Sequence, residues 1–148
     1  MINNKLKVII PAKSINEALS RNIIASFCLV LNPTMSEISD VKTAVSEAVT
    51  NCIVHAYGDE GGDIEITATI YEDSVLSVEI KDFGRGIPDV EQATQPFYTT
   101  KGEEERSGMG FTVMQTFMDT LDVVSIEGKG TTVHMSKKFE RGGEDARS

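Results

Sequence analysis

Two consecutive runs of alternating apolar and polar residues constrain the fold of this chain more than any other feature. The first is DIEITATIYE, residues 63–72, and the second is VLSVEIKDF, residues 75–83. In an extended strand every second side chain points to the same face, so each run has one apolar and one polar face. The short turn at Glu72, Asp73 and Ser74 therefore predicts an antiparallel hairpin with one buried face.

Three helices and three further strands are predicted from periodicity and from turn signals. The first helix follows a capping box of Ser14 and Glu17, and the others are expected at about residues 36–57 and near residues 109–119. The further strands are expected at residues 5–12, 123–127 and 131–139. Hairpin-linked strands whose helices gather on one face predict a two-layer α+β sandwich.

The apolar positions within each helix predict which face packs on the sheet. They are Leu19, Ile23, Phe27, Val30 and Leu31 in the first helix, Ile38, Val41, Val45, Ala48, Val49, Cys52 and Ile53 in the second, and Met109, Val113, Phe117 and Leu121 in and just after the third.

The composition is typical of one soluble globular domain over residues 1–148, with a frayed tail at about residues 139–148. A net charge of −9 disfavours direct binding to nucleic acid or to an anionic membrane, because both require a basic surface. No run reaches the ~18 apolar residues of a membrane span, and the N-terminus lacks a signal peptide, so a cytoplasmic location is expected. Cys28 and Cys52 lie among apolar residues and are expected to be buried thiols.

The stretch KDFGRGIP, residues 81–88, carries the first candidate binding residues. Its surroundings lack the companion motifs of a protein kinase, the third glycine of a dinucleotide-binding fold and the glycine-lysine signature of a P-loop. We interpret Asp82 as the end of a strand, where its carboxylate can accept a hydrogen bond from an exocyclic amine such as that of adenine. Gly84 and Gly86 would let the backbone approach a flat ligand. A plain turn is the alternative.

The second candidate pair lies on the second helix, in SEAVTNCIVHAY. Glu47 and Asn51 are four residues apart and so share a face away from the apolar stripe. A carboxylate beside an amide oxygen is suited to holding Mg²⁺ and to deprotonating a nucleophile. A solvated helix face is the alternative, and His55, in the same row, is expected to be structural.

The third candidate region is TTKGEEERSGMGF, residues 99–111, at the end of a segment, residues 84–110, that we expect to be mostly loop and to act as a lid. Gly108 and Gly110, at or just before a helix start, would leave backbone N–H groups free to face phosphate. Lys101 and Arg106 could meet terminal phosphates. A flexible helix cap is the alternative. Thr131 could place a hydroxyl near the base.

In this order the motifs resemble the N, G1 and G2 boxes of the GHKL ATPase superfamily. Over about residues 5–138 the chain looks like the anti-sigma-factor serine kinases of spore-forming bacteria. The likeness is carried by NPTMSEISDVKTAVSEAVTNCIVHAY, KDFGRGIPDVEQATQPFYTTK and ERSGMGFTVMQTFMD. It implies the GHKL fold, with a mixed, mostly antiparallel sheet covered on one face by helices.

The resemblance also implies an ATP-dependent kinase that works as a homodimer with ATP or ADP and Mg²⁺. It would sequester a sporulation sigma factor and phosphorylate a serine of an anti-anti-sigma partner. A general stress-type kinase, a detached sensor-kinase domain and a sequestering module without catalysis are the alternatives. The resemblance implies that Glu47 is the general base, that Asn51 binds Mg²⁺ and that Asp82 recognises adenine. Gly84 and Gly86 would shape the pocket, Thr131 would make a weaker adenine contact, and an exposed Arg21 would bind a partner. The implied phosphate contacts are Lys101, Arg106, Ser107, Gly108, Met109 and Gly110.

Overall fold

Five strands form one antiparallel sheet in a computed structural model that describes residues 1–88, 90 and 105–140, with the backbone alone for residues 105–109. The strands are β1 (Ile2–Pro11), β2 (Asp63–Tyr71), β3 (Val75–Asp82), β4 (Thr120–Ile126) and β5 (Gly130–Lys138). Their order is β1-β2-β3-β5-β4, and all four pairings are antiparallel. The α+β fold class is confirmed, and no parallel pair occurs among the described strands.

Three helices form the second layer of the sandwich. They are α1 (Ile15–Phe27), α2 (Met35–Thr50) and α3 (Glu105–Phe117). A 3₁₀ turn, Cys28–Leu31, follows α1, while α2 continues as a π-helix, Asn51–Tyr57, and a short 3₁₀ turn, Gly58–Glu60. Among the described helices none is long and apolar enough to cross a membrane.

The predicted β2–β3 hairpin is confirmed, and its alternating pattern builds the centre of the core. The buried side chains of the two strands pack with those of the helices in a single apolar cluster. From β2 these are Ile64, Ile66, Ala68 and Ile70, and from β3 they are Leu76, Val78 and Ile80. Burial of one face of each strand is the main stabilising term for such a sheet.

The face of α1 that packs on the core is shifted by one position along the chain from the predicted face. Ser20, Ile24 and Cys28 are buried, whereas Leu19 and Val30 are exposed. Two neighbouring rows of the helix are nearly equally apolar, and Ser20 can be buried because its hydroxyl donates to the Glu17 carbonyl at 2.8 Å. A buried serine bonded within its own helix leaves no pattern in the sequence.

The capping box predicted at Ser14 and Glu17 is wrong. Ser14 already has helical dihedral angles and makes no side-chain cap. Glu17 instead accepts hydrogen bonds from Arg21, at 2.7 Å, and from Ser46, at 2.5 Å. These bonds connect α1 to α2, so tertiary contacts take the side chain that a local cap would have used.

A complete capping box begins α2 instead. The Thr34 hydroxyl accepts from the Glu37 N–H at 3.0 Å, and the Thr34 N–H donates to Glu37 Oε1 at 2.9 Å. The other carboxylate oxygen of Glu37 accepts from the Glu140 N–H at 2.9 Å. Since Phe139 is also buried, the expectation of fraying is wrong for these two residues. Residues 141–148 lie outside the described part of the chain.

We expect Thr34→Ala to lower the free energy of unfolding by about 1 kcal/mol, because it leaves the first turn of α2 without its side-chain acceptor. Ser14→Ala is the matched control and should change stability by less than about 0.5 kcal/mol, since Ser14 makes no cap bond. Urea unfolding of both variants measures the difference. Equal effects would contradict the assignment of the box to α2.

The third helix begins earlier than predicted, at Glu105 rather than near residue 109. Its buried apolar residues are Phe111 and Met114, followed by Met118 just beyond the helix. Val113, Phe117 and Leu121, which were predicted to form that face, are only half-buried. The glycine-rich start hid the first turn of the helix, because glycine is a poor helix former.

Candidate functional site

Asp82 is the last residue of β3 and is almost fully buried, with 5% of its surface exposed. Its Oδ1 accepts from the Gly84 N–H at 3.0 Å and from the Thr131 N–H at 3.2 Å. One carboxylate oxygen is thus held both by the turn after β3 and by the start of the neighbouring strand β5. The other interpretation of the stretch, a plain turn, describes the Gly84 bond but not the bond to the neighbouring strand.

Burial raises the pKa of the Asp82 carboxyl, because the charged form loses hydration. Hydrogen bonds from the Gly84 and Thr131 N–H groups and from the Cys52 thiol oppose that shift. For the same reason of burial the pKa of the Cys52 thiol lies well above its ordinary value, and that of Cys28 is raised to about 12. Both cysteines are therefore buried thiols, as predicted.

Glu47 and Asn51 lie close to Gly110 of α3. A Cβ built on Gly110 would lie 3.3 Å from both Asn51 side-chain heteroatoms and 3.5 Å from Glu47 Oε1. Both residues are half-buried, and Gly110 is buried. The pair is therefore only partly open to solvent, and it lies beside another helix. Because Gly110 has no side chain, α3 can approach the acid–amide pair closely at this point.

One short piece of helix connects the two parts of the site. Asn51, beside Gly110, is the first residue of the π-helix. The next residue, Cys52, donates its thiol hydrogen to Asp82. The buried carboxylate and the acid–amide pair are therefore connected through two consecutive residues of the same helical segment.

The oxygen atoms present at the site suit a magnesium ion that shares its coordination with a ligand. Glu47 offers a carboxylate and Asn51 an amide oxygen, which are hard donors of the kind Mg²⁺ prefers. Within the described residues no group of three or more His, Cys, Asp or Glu side chains could hold a metal by itself. The residues thus fit Mg²⁺ whose other ligands are waters and phosphate oxygens.

The two glycines after Asp82 make close approaches to protein backbone. A Cβ on Gly84 would lie 2.3 Å from the Ala56 carbonyl oxygen, and one on Gly86 would lie 2.5 Å from that of Ile126. Gly86 also has a positive φ of 79°. They pack the loop between the end of the π-helix and the β4–β5 turn, so their close contacts are with the protein itself rather than with a ligand alone.

The remaining candidates fall partly outside the described structure. Lys101 lies outside it, while Arg106, Ser107, Gly108 and Met109 are described by backbone alone, in the first two turns of α3. The expectation that Gly108 and Gly110 stand at the helix start is wrong. The N–H groups without helical partners belong to the residues at the very start of α3, and Gly110 contributes space instead.

Two predicted side chains have protein partners. The Thr131 hydroxyl forms a hydrogen bond of 2.8 Å with Ser125, so in Thr131 it is the backbone N–H that serves Asp82. Arg21 is not freely exposed as expected, because it is partly buried and bound to Glu17. It lines a shallow groove of about 330 Å³ between α1 and α2, whose other lining residues are Ser39, Lys42, Thr43, Ser46 and Glu47.

Tyr57, which was not among the predicted site residues, supports the segment around Asp82. Its hydroxyl accepts from the Phe83 N–H at 2.6 Å and donates to the Asp63 carbonyl at 2.6 Å. These bonds join the end of the π-helix to the first residue of β2 and to the residue that directly follows Asp82. An aromatic hydroxyl at the end of a helix, directly before Gly58, is the only signal for this role in the sequence.

Comparison with known proteins identifies relatives over nearly the whole chain. Residues 10–137 match the family described as the histidine kinase-like ATPase domain. The anti-sigma F factor of Caldanaerobacter subterraneus subsp. tengcongensis is 55% identical over 139 residues, 94% of this chain and 96% of that protein. The anti-sigma F factor of Geobacillus kaustophilus is 47% identical over 140 residues, 95% of this chain and 96% of that protein.

Solved structures support the fold at lower sequence identity. The RsbU and RsbW domains of Rv1364c from Mycobacterium tuberculosis align with a TM-score of 0.69 and 18% identity, covering 95% of this chain and 33% of that one. The histidine kinase domain of a blue-light activated histidine kinase from Erythrobacter litoralis aligns with a TM-score of 0.55 and 20% identity, covering 84% of this chain and 62% of that one.

Proposed function

Because the chain belongs to the histidine kinase-like ATPase family, we propose that it is an anti-sigma factor and an ATP-dependent serine kinase. The proposal depends most on one observation. Glu47 and Asn51 lie close to Gly110 of α3, and the helix that carries them is also bonded, through Cys52, to the buried Asp82. Its close relatives bear the name anti-sigma F factor, which supports a sigma factor as one partner.

Asp82 is proposed to recognise the adenine base. An ionised carboxylate has about four lone-pair positions. Two backbone N–H groups and one thiol use part of that capacity, so the carboxylate can still accept from an exocyclic amine. The same oxygen would repel the carbonyl oxygen that guanine presents, which makes the site selective for adenine. Gly84 and Gly86 shape this end of the pocket, and Thr131 contributes by holding Asp82.

Asn51 is proposed to bind Mg²⁺, and the start of α3 with the segment before it is proposed to surround the phosphates. Lys101, Arg106 and Ser107 would supply charge and hydrogen bonds there, and Gly108, Met109 and Gly110 the close backbone. When bound, ATP would supply the transferable phosphoryl group, and Mg²⁺ would neutralise part of the charge on the phosphates. The chain's own task is to hold these groups in line with the acceptor.

Glu47 is proposed to act as the general base for a protein hydroxyl. It lines the groove between α1 and α2, which would give a protein segment a path to the site. Glu47 would take the proton of the acceptor serine as the serine oxygen bonds to the phosphorus atom and ADP departs. Phosphoserine and ADP would thereby form without a free serine alkoxide as an intermediate.

The proposed partners follow from the family likeness and from charge. We propose a sporulation sigma factor held away from RNA polymerase, an anti-anti-sigma protein as the serine substrate, and a second copy of this chain in a homodimer. The net charge of −9 fits a basic partner better than nucleic acid. A cytoplasmic location fits these partners.

A phosphotransfer assay tests the proposal. The chain is given labelled ATP and, separately, an anti-anti-sigma protein with its acceptor serine and a histidine-bearing phosphoacceptor domain. Label is expected on the serine substrate alone, with none on its Ser→Ala variant and no stable phosphorylated form of the kinase. Label on the histidine domain would instead support a sensor-kinase domain, and no label on either protein would support a sequestering module.

A further inference from the structure

Arg85, three residues after Asp82, joins its own loop to two other segments of the chain. Its side-chain Nε donates to the His55 carbonyl at 2.7 Å, and its backbone N–H donates to the Ala56 carbonyl at 3.2 Å. Its own carbonyl accepts from the Gly128 N–H at 2.7 Å. One exposed arginine therefore binds the end of the π-helix and the β4–β5 turn at the same time.

These bonds connect two segments that also carry candidate site residues. His55 and Ala56 carry carbonyl groups at the end of the π-helix that begins with Asn51. Carbonyls at a helix end carry partial negative charge and lack helical partners, so a guanidinium is a favourable cap. Arg85 itself follows Asp82 by three residues, within the same short loop.

We propose that Arg85 is a positioning residue that sets the placement of Asp82 relative to the helix carrying Glu47 and Asn51. This inference rests on the proposed nucleotide site. Other contacts connect the same two segments, namely the bond from the Phe83 N–H to Tyr57, the contact of Gly84 with the Ala56 carbonyl and the bond from the Cys52 thiol to Asp82. In each of these bonds the donor is neutral, so Arg85 supplies the cationic donor of the connection.

The consequence is a role in base selectivity rather than in general stability. If the loop shifts against the helix, the phosphates and Mg²⁺ still find Asn51, but the Asp82 carboxylate no longer meets the exocyclic amine at the right distance. ATP binding should weaken while GTP binding, which gains nothing from Asp82, should change less. A purely structural role would weaken the binding of both nucleotides equally.

The test is calorimetric titration of ATP and GTP, each with Mg²⁺, into the wild-type chain and three variants. Arg85→Met removes the donor but keeps the aliphatic stem, and Arg85→Lys restores a charged donor. Lys81→Met is the matched control, because Lys81 is exposed near the same strand end, with its ammonium 5.2 Å from the Phe83 ring centroid. It removes the same charge without touching the helix end. Circular dichroism and urea unfolding establish that each variant is folded.

We expect Arg85→Met to weaken ATP binding about fivefold and to lower the ATP-to-GTP affinity ratio by more than about threefold, with partial recovery in Arg85→Lys. Lys81→Met should leave the ratio within about twofold of wild type.

An unchanged ratio in Arg85→Met, or an equal fall in Lys81→Met, would overturn the role of Arg85 alone. If Arg85→Met does not fold, the ratio in Arg85→Lys decides: the wild-type value or an intermediate one supports the role, and complete loss of selectivity overturns it. A wild-type chain that binds neither nucleotide would overturn the nucleotide site as well.

Discussion

Replacing Glu47 by alanine is expected to lower the rate of phosphoryl transfer by about 10²–10⁴ while leaving ATP affinity nearly unchanged. A positioned base acts mainly in the transition state, where the serine proton is in transit, so its loss affects the chemical step more than ground-state binding. Glu47 stands beside Asn51 and opposite Gly110, which has no side chain that could replace it. Single-turnover kinetics with saturating ATP and the serine substrate measure the chemical step directly.

Glu47→Gln refines this prediction, because it keeps the size of the side chain and removes only the proton acceptor. It should lose activity to nearly the same extent as Glu47→Ala. Glu79→Gln is the matched control, since Glu79 is an exposed carboxylate of β3 away from the helices, and it should leave the rate unchanged. Wild-type transfer rates in both Glu47 variants would remove this residue from the mechanism.

Asp82→Asn is expected to weaken the binding of adenine nucleotides by about 1–3 kcal/mol, which is roughly fivefold to 150-fold. The Gly84 and Thr131 N–H groups will hold the amide oxygen of the new side chain in place of Oδ1. Its NH₂ group must then point toward the base, where it opposes the exocyclic amine donor-to-donor. Titration with ATP and GTP should show a loss of affinity for ATP and a loss of selectivity. Unchanged affinity for both would show that Asp82 does not recognise the base.

The same substitution should change how stability depends on pH. Burial raises the folded-state pKa of Asp82 above its unfolded value of about 3.9. The folded chain therefore binds this proton more tightly, and the resulting stabilisation is complete below the unfolded pKa and is lost as pH rises through the folded pKa. At neutral pH the buried charge costs stability in the nucleotide-free protein.

Asp82→Asn, which carries no charge, should thus gain stability relative to wild type as the pH rises through that window. Urea unfolding of the two proteins at several pH values between about 4 and 8 gives the difference in free energy of unfolding and cancels the titration of all other groups. A difference that is independent of pH would contradict the linkage. A rising difference would show that the ionised Asp82 carboxylate destabilises the nucleotide-free chain.

Much of the fold was predictable because it depends on short-range patterns. The alternation in β2 and β3 specified the hairpin and its buried face, and the order of Glu47, Asn51 and Asp82 along the chain indicated a candidate site. The face of α1 was not predictable, because Leu19 and Ile24 belong to neighbouring rows of similar hydrophobicity and only packing against α2 selects one. The cap at Ser14 failed for a related reason, since Glu17 bonds to Arg21 and Ser46 instead.

The parts of the site that the sequence did not predict depend on backbone atoms distant along the chain. The carbonyls of His55 and Ala56 bind Arg85, and the Thr131 N–H binds Asp82. Backbone groups are the same in every residue, so no residue type marks them in advance. The early start of α3 was hidden because its glycines have low helix propensity, which packing against α2 overrides.

The most direct test of the whole account is calorimetry of the wild-type chain with ATP and with ADP, in the presence and absence of Mg²⁺. The account predicts saturable heat for both nucleotides, tighter ATP binding with Mg²⁺, and loss of that metal-dependent gain in Asn51→Ala. The absence of heat from either nucleotide with Mg²⁺, using protein shown to be folded, would contradict it.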